Sequence, residues 1–180
     1  MRVEVSLTPG DSCKVRNAEH FDLRADAEAI SRIEAAQRHL PLRSLLVNLN
    51  AGDSLFSTLG SKTWESKEND PSEPFVFASR VDLVFLRADA NFGAGPHHDL
   101  AQRLAEMLRR EAGDFLRVEL HICAAEFSGE NRGFCLRISL YAAGTTPQQA
   151  QLRWGLGLAR LQQALLFVAR GLRHELGAAS

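Results

Sequence analysis

The sequence predicts an α+β fold, a mostly antiparallel sheet with helices on one side, from three features. A ribbon on either side of Ser128-Gly129-Glu130-Asn131-Arg132 alternates apolar and polar residues. A capping sequence opens a long apolar-striped helix after Thr146. With these, the whole chain reads in the order β-α-β-β-β-α-β-β-α, which suits helices packed against one layer of strands.

The elements follow in turn. Val3, Val5 and Leu7 alternate and stop at Thr8-Pro9-Gly10-Asp11, a short strand and a turn. Asp22 caps a helix over 23–40, with Leu23, Ala27, Ile30, Ile33 and Leu40 on one face and Pro41 as its stop. Leu45, Val47 and Leu49 predict a strand. Asn50-Ala51-Gly52-Asp53 predicts a turn, and 55–59 a partner strand. The polar stretch 61–74, with Lys62, Glu65, Lys67, Glu68, Asp70 and Glu73, reads as an exposed, mobile loop. A long strand over 75–87 follows.

Gly93-Ala94-Gly95-Pro96 breaks the chain and starts a helix that runs to Ala112, striped by Leu100, Ala101, Leu104, Met107 and Leu108, with Gly113 as its stop. Folding the ribbon about Glu130 sets Ile122 opposite Ile138 and Leu120 opposite Leu140 on an apolar face. The same register sets Cys123 opposite Arg137, His121 opposite Ser139 and Glu119 opposite Tyr141 on a polar face. Thr146-Pro147-Gln148-Gln149 is a capping box. Trp154, Leu158, Leu161, Leu165, Val168 and Leu172 then form a heptad seam, and Leu152, Leu156, Leu166 and Phe167 widen the apolar surface beyond it. Gly155 and Gly157, costly inside a helix, predict close packing or a bend.

The 180 residues read as one domain, 1–180, large enough to bury a core without disulfides or metal. A net charge of −1 calls for neither nucleic acid nor an anionic membrane as partner. The longest apolar run, 164–169, is far too short for a membrane span, and the first residues lack the apolar core of a signal peptide. Three cysteines without a C-x-x-C pair fit a reducing compartment, so the chain reads as cytoplasmic.

Few residues invite chemistry. Glu119, His121, Arg137 and Tyr141, with Cys123 and Ser139, share the polar face of the ribbon and could line a ligand pocket. The competing reading is a solvated sheet face. His121 and Cys123 lack the spacing signature of a metal site, and no metal or cofactor is expected. His97 and His98 are adjacent on a helix and point about 100° apart, so they read as an ordinary helix start beside Asp99. Gly93-Ala94-Gly95 lacks the third glycine of a dinucleotide loop and the lysine of a P-loop. Asp82 and Asp89 are scattered carboxylates that only the fold could bring together as an acid/base pair. No G-x-S-x-G, H-E-x-x-H or S-x-x-K string occurs. Protein binding has two candidate surfaces: Trp64 within the charged stretch, which could equally tuck back onto the domain, and Leu156, Leu166 and Phe167 on the last helix, whose competing reading is burial against the sheet.

From Leu23 onward the order α-β-β-β-α-β-β-α resembles that of the class I type III secretion chaperones. The match in residue pattern is confined to 134–168, where a strand leads through Ala142-Ala143-Gly144-Thr145-Thr146-Pro147 into a long helix. The chain departs from that family in its additional N-terminal strand and its near-neutral charge. The resemblance implies a cytoplasmic homodimer without cofactor that binds an extended protein client. The long hairpin and helix are also similar to the C-terminal domain of flagellar and injectisome length-control proteins. Three readings result: a non-enzymatic protein-binding accessory domain, a small-molecule binder or enzyme using the 115–142 hairpin, and a structural component of a larger bacterial assembly such as a secretion apparatus.

Overall fold

The computed structural model describes residues 1–6, 22–68, 70–110, 115–127 and 132–177, with side chains as far as 173. The turn expected at Thr8–Asp11, the stop at Gly113 and the ribbon's own turn at 128–131 lie outside the described residues. The fold is α+β. Five strands stand in the order β1-β4-β5-β3-β2. β1 (Arg2–Ser6) runs parallel to β4 (Leu116–Glu126). The pairings of β4 with β5 (Arg132–Gly144), β5 with β3 (Phe75–Phe85) and β3 with β2 (Phe56–Lys67) are antiparallel. The helices are α1 (Glu34–Arg38), α2 (Leu40–Leu49), α3 (Ala94–Arg109) and α4 (Pro147–Gly177), with short 3-10 turns at Ala27–Arg32 and Ala88–Asn91.

One face of the sheet and the inward sides of α2, α3 and α4 share the main apolar core. Trp154 is its largest fully buried side chain. Its ring packs on Phe77 at 4.7 Å between centroids, and its indole N–H donates to Ser79 Oγ at 2.9 Å. A buried indole needs such a partner, because an unpaired donor away from water is costly. The expected seam of α4 is the buried one: Leu158, Leu161, Leu165 and Val168 are each at most 4% exposed. Gly155 lies against Pro41. A Cβ at Gly157 would meet Leu116 and Leu140 at 3.0 Å, so both glycines mark close packing. At the helix start Gln149 N–H donates to Thr146 Oγ1, as a capping box requires, but the Gln149 side chain accepts from Thr145 rather than Thr146.

The region before β3 departs from the sequence reading. The helix expected over 23–40 is broken at Ile33 and His39, both extended, into a 3-10 turn and the short α1. Asp22 closes a local turn on Arg24 and Ala25, and it is Asp26 that accepts from Glu28 N–H to cap the 3-10 turn. Pro41 begins α2 instead of ending a helix, since the first helical N–H groups have no partner to lose. The expected strand at 45–49 is therefore helical. Leu42, Leu45, Leu46 and Leu49 repeat at three and four and are buried, whereas Val47 is 51% exposed. With Leu46 and Val47 both apolar, alternation and helical period fit the same letters, and only burial separates them.

The first half of the expected exposed, mobile loop at 61–74 is instead strand. β2 continues to Lys67, pairing residue by residue from Gly60 opposite Asp82 to Lys67 opposite Phe75. The connection is tight, with Glu68 N–H donating to Pro74 O at 3.0 Å and Asp70 accepting from Ser72. β2 is an edge strand, and an edge tolerates charges that hide the alternation of a half-buried strand. The hairpin expected between 45–49 and 55–59 is accordingly replaced by a β2–β3 hairpin. Asn50 still punctuates the chain, tying the end of α2 to Ser57 and Thr58 through its side chain.

The β4–β5 ribbon forms as expected but in a register shifted by two. Leu120 faces Ile138 and Ile122 faces Leu136, while His121 faces Arg137 and Cys123 faces Cys135. A two-residue shift preserves which face each side chain takes, because the side-chain period is two.

Candidate functional site

The outer face of the sheet is organised in rows across the strands. One row runs Trp64, Ala78, Tyr141 and Arg117, with the small Ala78 letting the Trp64 ring reach Tyr141 edge-on at 5.8 Å. Arg117 covers the other side of Tyr141 at 4.3 Å from the ring centre. The next row holds Lys62, Arg80, Ser139 and Glu119, and the next Gly60, Asp82, Arg137 and His121. All four residues expected to form a ligand site thus share this face.

Their polar atoms largely engage one another. Tyr141 O–H donates to Glu119 Oε2 at 3.0 Å, with His121 Nε2 3.6 Å from the same oxygen and Arg117 3.5 Å from the other. Burial, then the hydrogen bond to Glu119 and its charge, pushes the Tyr141 hydroxyl above its ordinary pKa. Arg137 grips Asp82 with two hydrogen bonds, 2.7 and 3.1 Å, and Asp82 is 2% exposed. Burial works against the Arg137 charge, but Asp82 outweighs it and raises the pKa further. Arg80 stands 3.8 Å from the same carboxylate. A carboxylate between a phenol and an imidazole can exchange protons, yet each partner here also holds the others in place. Sequence reasoning missed the Asp82–Arg137 pairing and Arg117. Asp89 bonds Arg87 two residues away, so each of the two weighed aspartates has its own arginine.

Beyond these rows the outer face turns apolar, where Val84, Cys123, Ala125 and Cys135 cluster with Leu59 and Phe127. Cys135 is a free thiol whose pKa burial, with the Asp82 charge, pushes up to about 12, so it is inert at neutral pH. Cys123 is disulfide-bonded, and the chain's remaining cysteine, Cys13, lies outside the described residues.

The paired histidines diverge. His97 is fully buried against Phe85, with Nδ1 3.4 Å from Gly93 O, and burial lowers its pKa to about 4. His98 lies 3.9 Å from Asp99 near the surface. Among the described residues no three His, Cys, Asp or Glu side chains are grouped to hold a metal ion, and no helix is long and apolar enough to cross a membrane.

The expected partner-binding residues separate into two groups. Trp64 sits in β2 and packs on Tyr141, so it is half-buried and not the anchor of an exposed loop. Leu156, Leu166 and Phe167 stand on the outward side of α4, exposed by 53%, 44% and 64%, and Leu152, not among the expected residues, joins them at 69%. Beside Leu166 a cavity of about 100 Å³ opens between α2 and α4, lined by Asn48, Leu49, Phe56, Leu165, Arg170 and Arg173 among others. A second, of about 270 Å³, lies where β2 and β3 meet the start of α4, lined by Lys67, Phe75, Phe77 and Pro147. Neither cavity is lined by Glu119, His121, Arg137 or Tyr141.

No protein-family model, no curated protein and no solved structure matches this chain.

Proposed function

We propose that this protein is a non-enzymatic accessory domain that binds another protein through the outward face of α4. The observation that carries this reading is the exposure of Leu152, Leu156, Leu166 and Phe167 along one side of a helix whose other side is already buried in the core. Scattered exposed leucines are normal, but these four large apolar groups share one helix side as two pairs, Leu152 with Leu156 and Leu166 with Phe167, separated by Ala159 and Gln163, and exposed apolar patches grouped on one face mark interaction sites. The resemblance to secretion chaperones contributes the strand-turn-helix of 134–168 and the expectation of a homodimer with an extended client. Its element order is weakened by the helix found at 40–49. The alternative, a small-molecule site on the polar sheet face, has its residues together but spends their hydrogen bonds on one another.

A photo-reactive residue placed at Phe167 tests the reading in extract of the source cell. The expected result is a discrete cross-linked species that disappears when Leu156→Lys is added. A monomer by light scattering that yields no cross-link from Phe167 contradicts it.

A further inference from the structure

The geometry points to an acidic amphipathic helix of a different protein as the occupant of α4's outward face, its apolar anchor seated in the cavity between α2 and α4. This rests on the reading of that face as a docking surface and adds the chemistry of what docks. The first observation is charge. Between Pro147 and Arg173 the helix carries Arg153, Arg160, Arg170 and Arg173 and no aspartate or glutamate. Arg153 is held by Glu73 and the Ala143 carbonyl, whereas Arg170 and Arg173 border the cavity. The second observation is shape. The stretch from Leu152 to Phe167 is about 22 Å long at 1.5 Å per residue, the reach of about four helical turns. Its C-terminal end adjoins a recess of about 100 Å³ with Leu49, Phe56, Leu165 and Leu166 on its walls. That volume takes one aliphatic or aromatic side chain of a partner helix, with carboxylates of the next turn facing Arg170 and Arg173. Asp53 also lines the recess, so the anchor itself is apolar and the partner's acids lie toward the arginines.

Two other occupants fit less well. A second copy of this face would bring no carboxylate from 147–173 to Arg170 and Arg173. An anionic membrane would satisfy the charge, but a lipid surface has no side chain to fill a recess between two helices.

Fluorescence anisotropy with two synthetic helices of about 18 residues, long enough to cover that stretch, tests this. Both carry a leucine strip, one flanked by glutamate and the other by lysine. The intact protein is expected to bind the glutamate peptide at least about tenfold more tightly than the lysine peptide. Arg170→Glu with Arg173→Glu, both exposed and safe for folding, is expected to reverse that preference. Equal binding of the two peptides overturns the acidic partner while leaving α4 as a docking face. Binding of neither also overturns it; the Phe167 cross-link then decides whether the docking reading falls with it. Phosphatidylserine vesicles that bind the protein and release it on the same charge reversal, or a dimer whose interface buries Phe167, replace this occupant with membrane or second copy.

Discussion

The two sides of α4 are built from the same residue types and face opposite fates. Inward, Trp154, Leu158, Leu161 and Leu165 are each 1% exposed, while outward Leu152 and Phe167 are 69% and 64% exposed. The difference teaches that apolar content does not define a core; a leucine stabilises the fold only where something packs on it. The inward side should therefore govern stability, and the outward side should be dispensable for it.

The largest expected effect is on the inward side. Trp154→Ala removes the ring from Phe77 and strands Ser79, and should lower the unfolding free energy by about 3–5 kcal/mol in urea denaturation. A loss below about 1 kcal/mol would mean that this side is no better packed than the other.

Asp82→Ala extends the comparison to the outer sheet face. It leaves Arg137, already largely out of water, without its bidentate partner, and should cost about 3 kcal/mol by the same measurement. A nearly neutral result would place that pair among solvated surface contacts.

A third test uses acid. His97 is buried and its pKa is lowered to about 4, against 6.5 in the unfolded chain. Below pH 6.5 the unfolded chain takes up a proton that the folded one refuses. Stability present above pH 6.5 should therefore fall as pH drops toward 4, by about 3 kcal/mol at 1.36 kcal/mol per pKa unit. His97→Leu should flatten that part of the curve.

How far the sequence could be read also divides the molecule. From β3 to the end, α3, the ribbon and α4 are legible because each is half-buried, so apolar period and burial coincide. The ribbon's faces were recoverable but not its register, because matching Leu120 with either Ile138 or Leu140 leaves the same apolar face. Before β3 the signal fails for identifiable reasons. Leu46 and Val47 satisfy helix and strand templates alike, Pro41 can open a helix as well as close one, and the charges of β2 belong to an edge strand. Of the candidate site, Glu119, His121, Arg137 and Tyr141 were correctly grouped by alternation. Asp82 was invisible as a partner, because strand order across a sheet is not written in local pattern, and Arg117 was missed through the register, which sets it rather than Glu119 opposite Tyr141. The basic, acid-free run of α4 was legible from the letters alone and needed only the exposure of its outward side to acquire meaning.

The most direct test of the central claim is the thermal midpoint of a single variant, Leu152→Gln, Leu156→Gln, Leu166→Gln and Phe167→Gln combined. If the outward face serves docking, each change contributes within about 0.5 kcal/mol and the midpoint should stay within a few degrees of the parent. A fall of more than about 10 °C would show that these four side chains are packed by the protein's own chain, and the docking face would not exist.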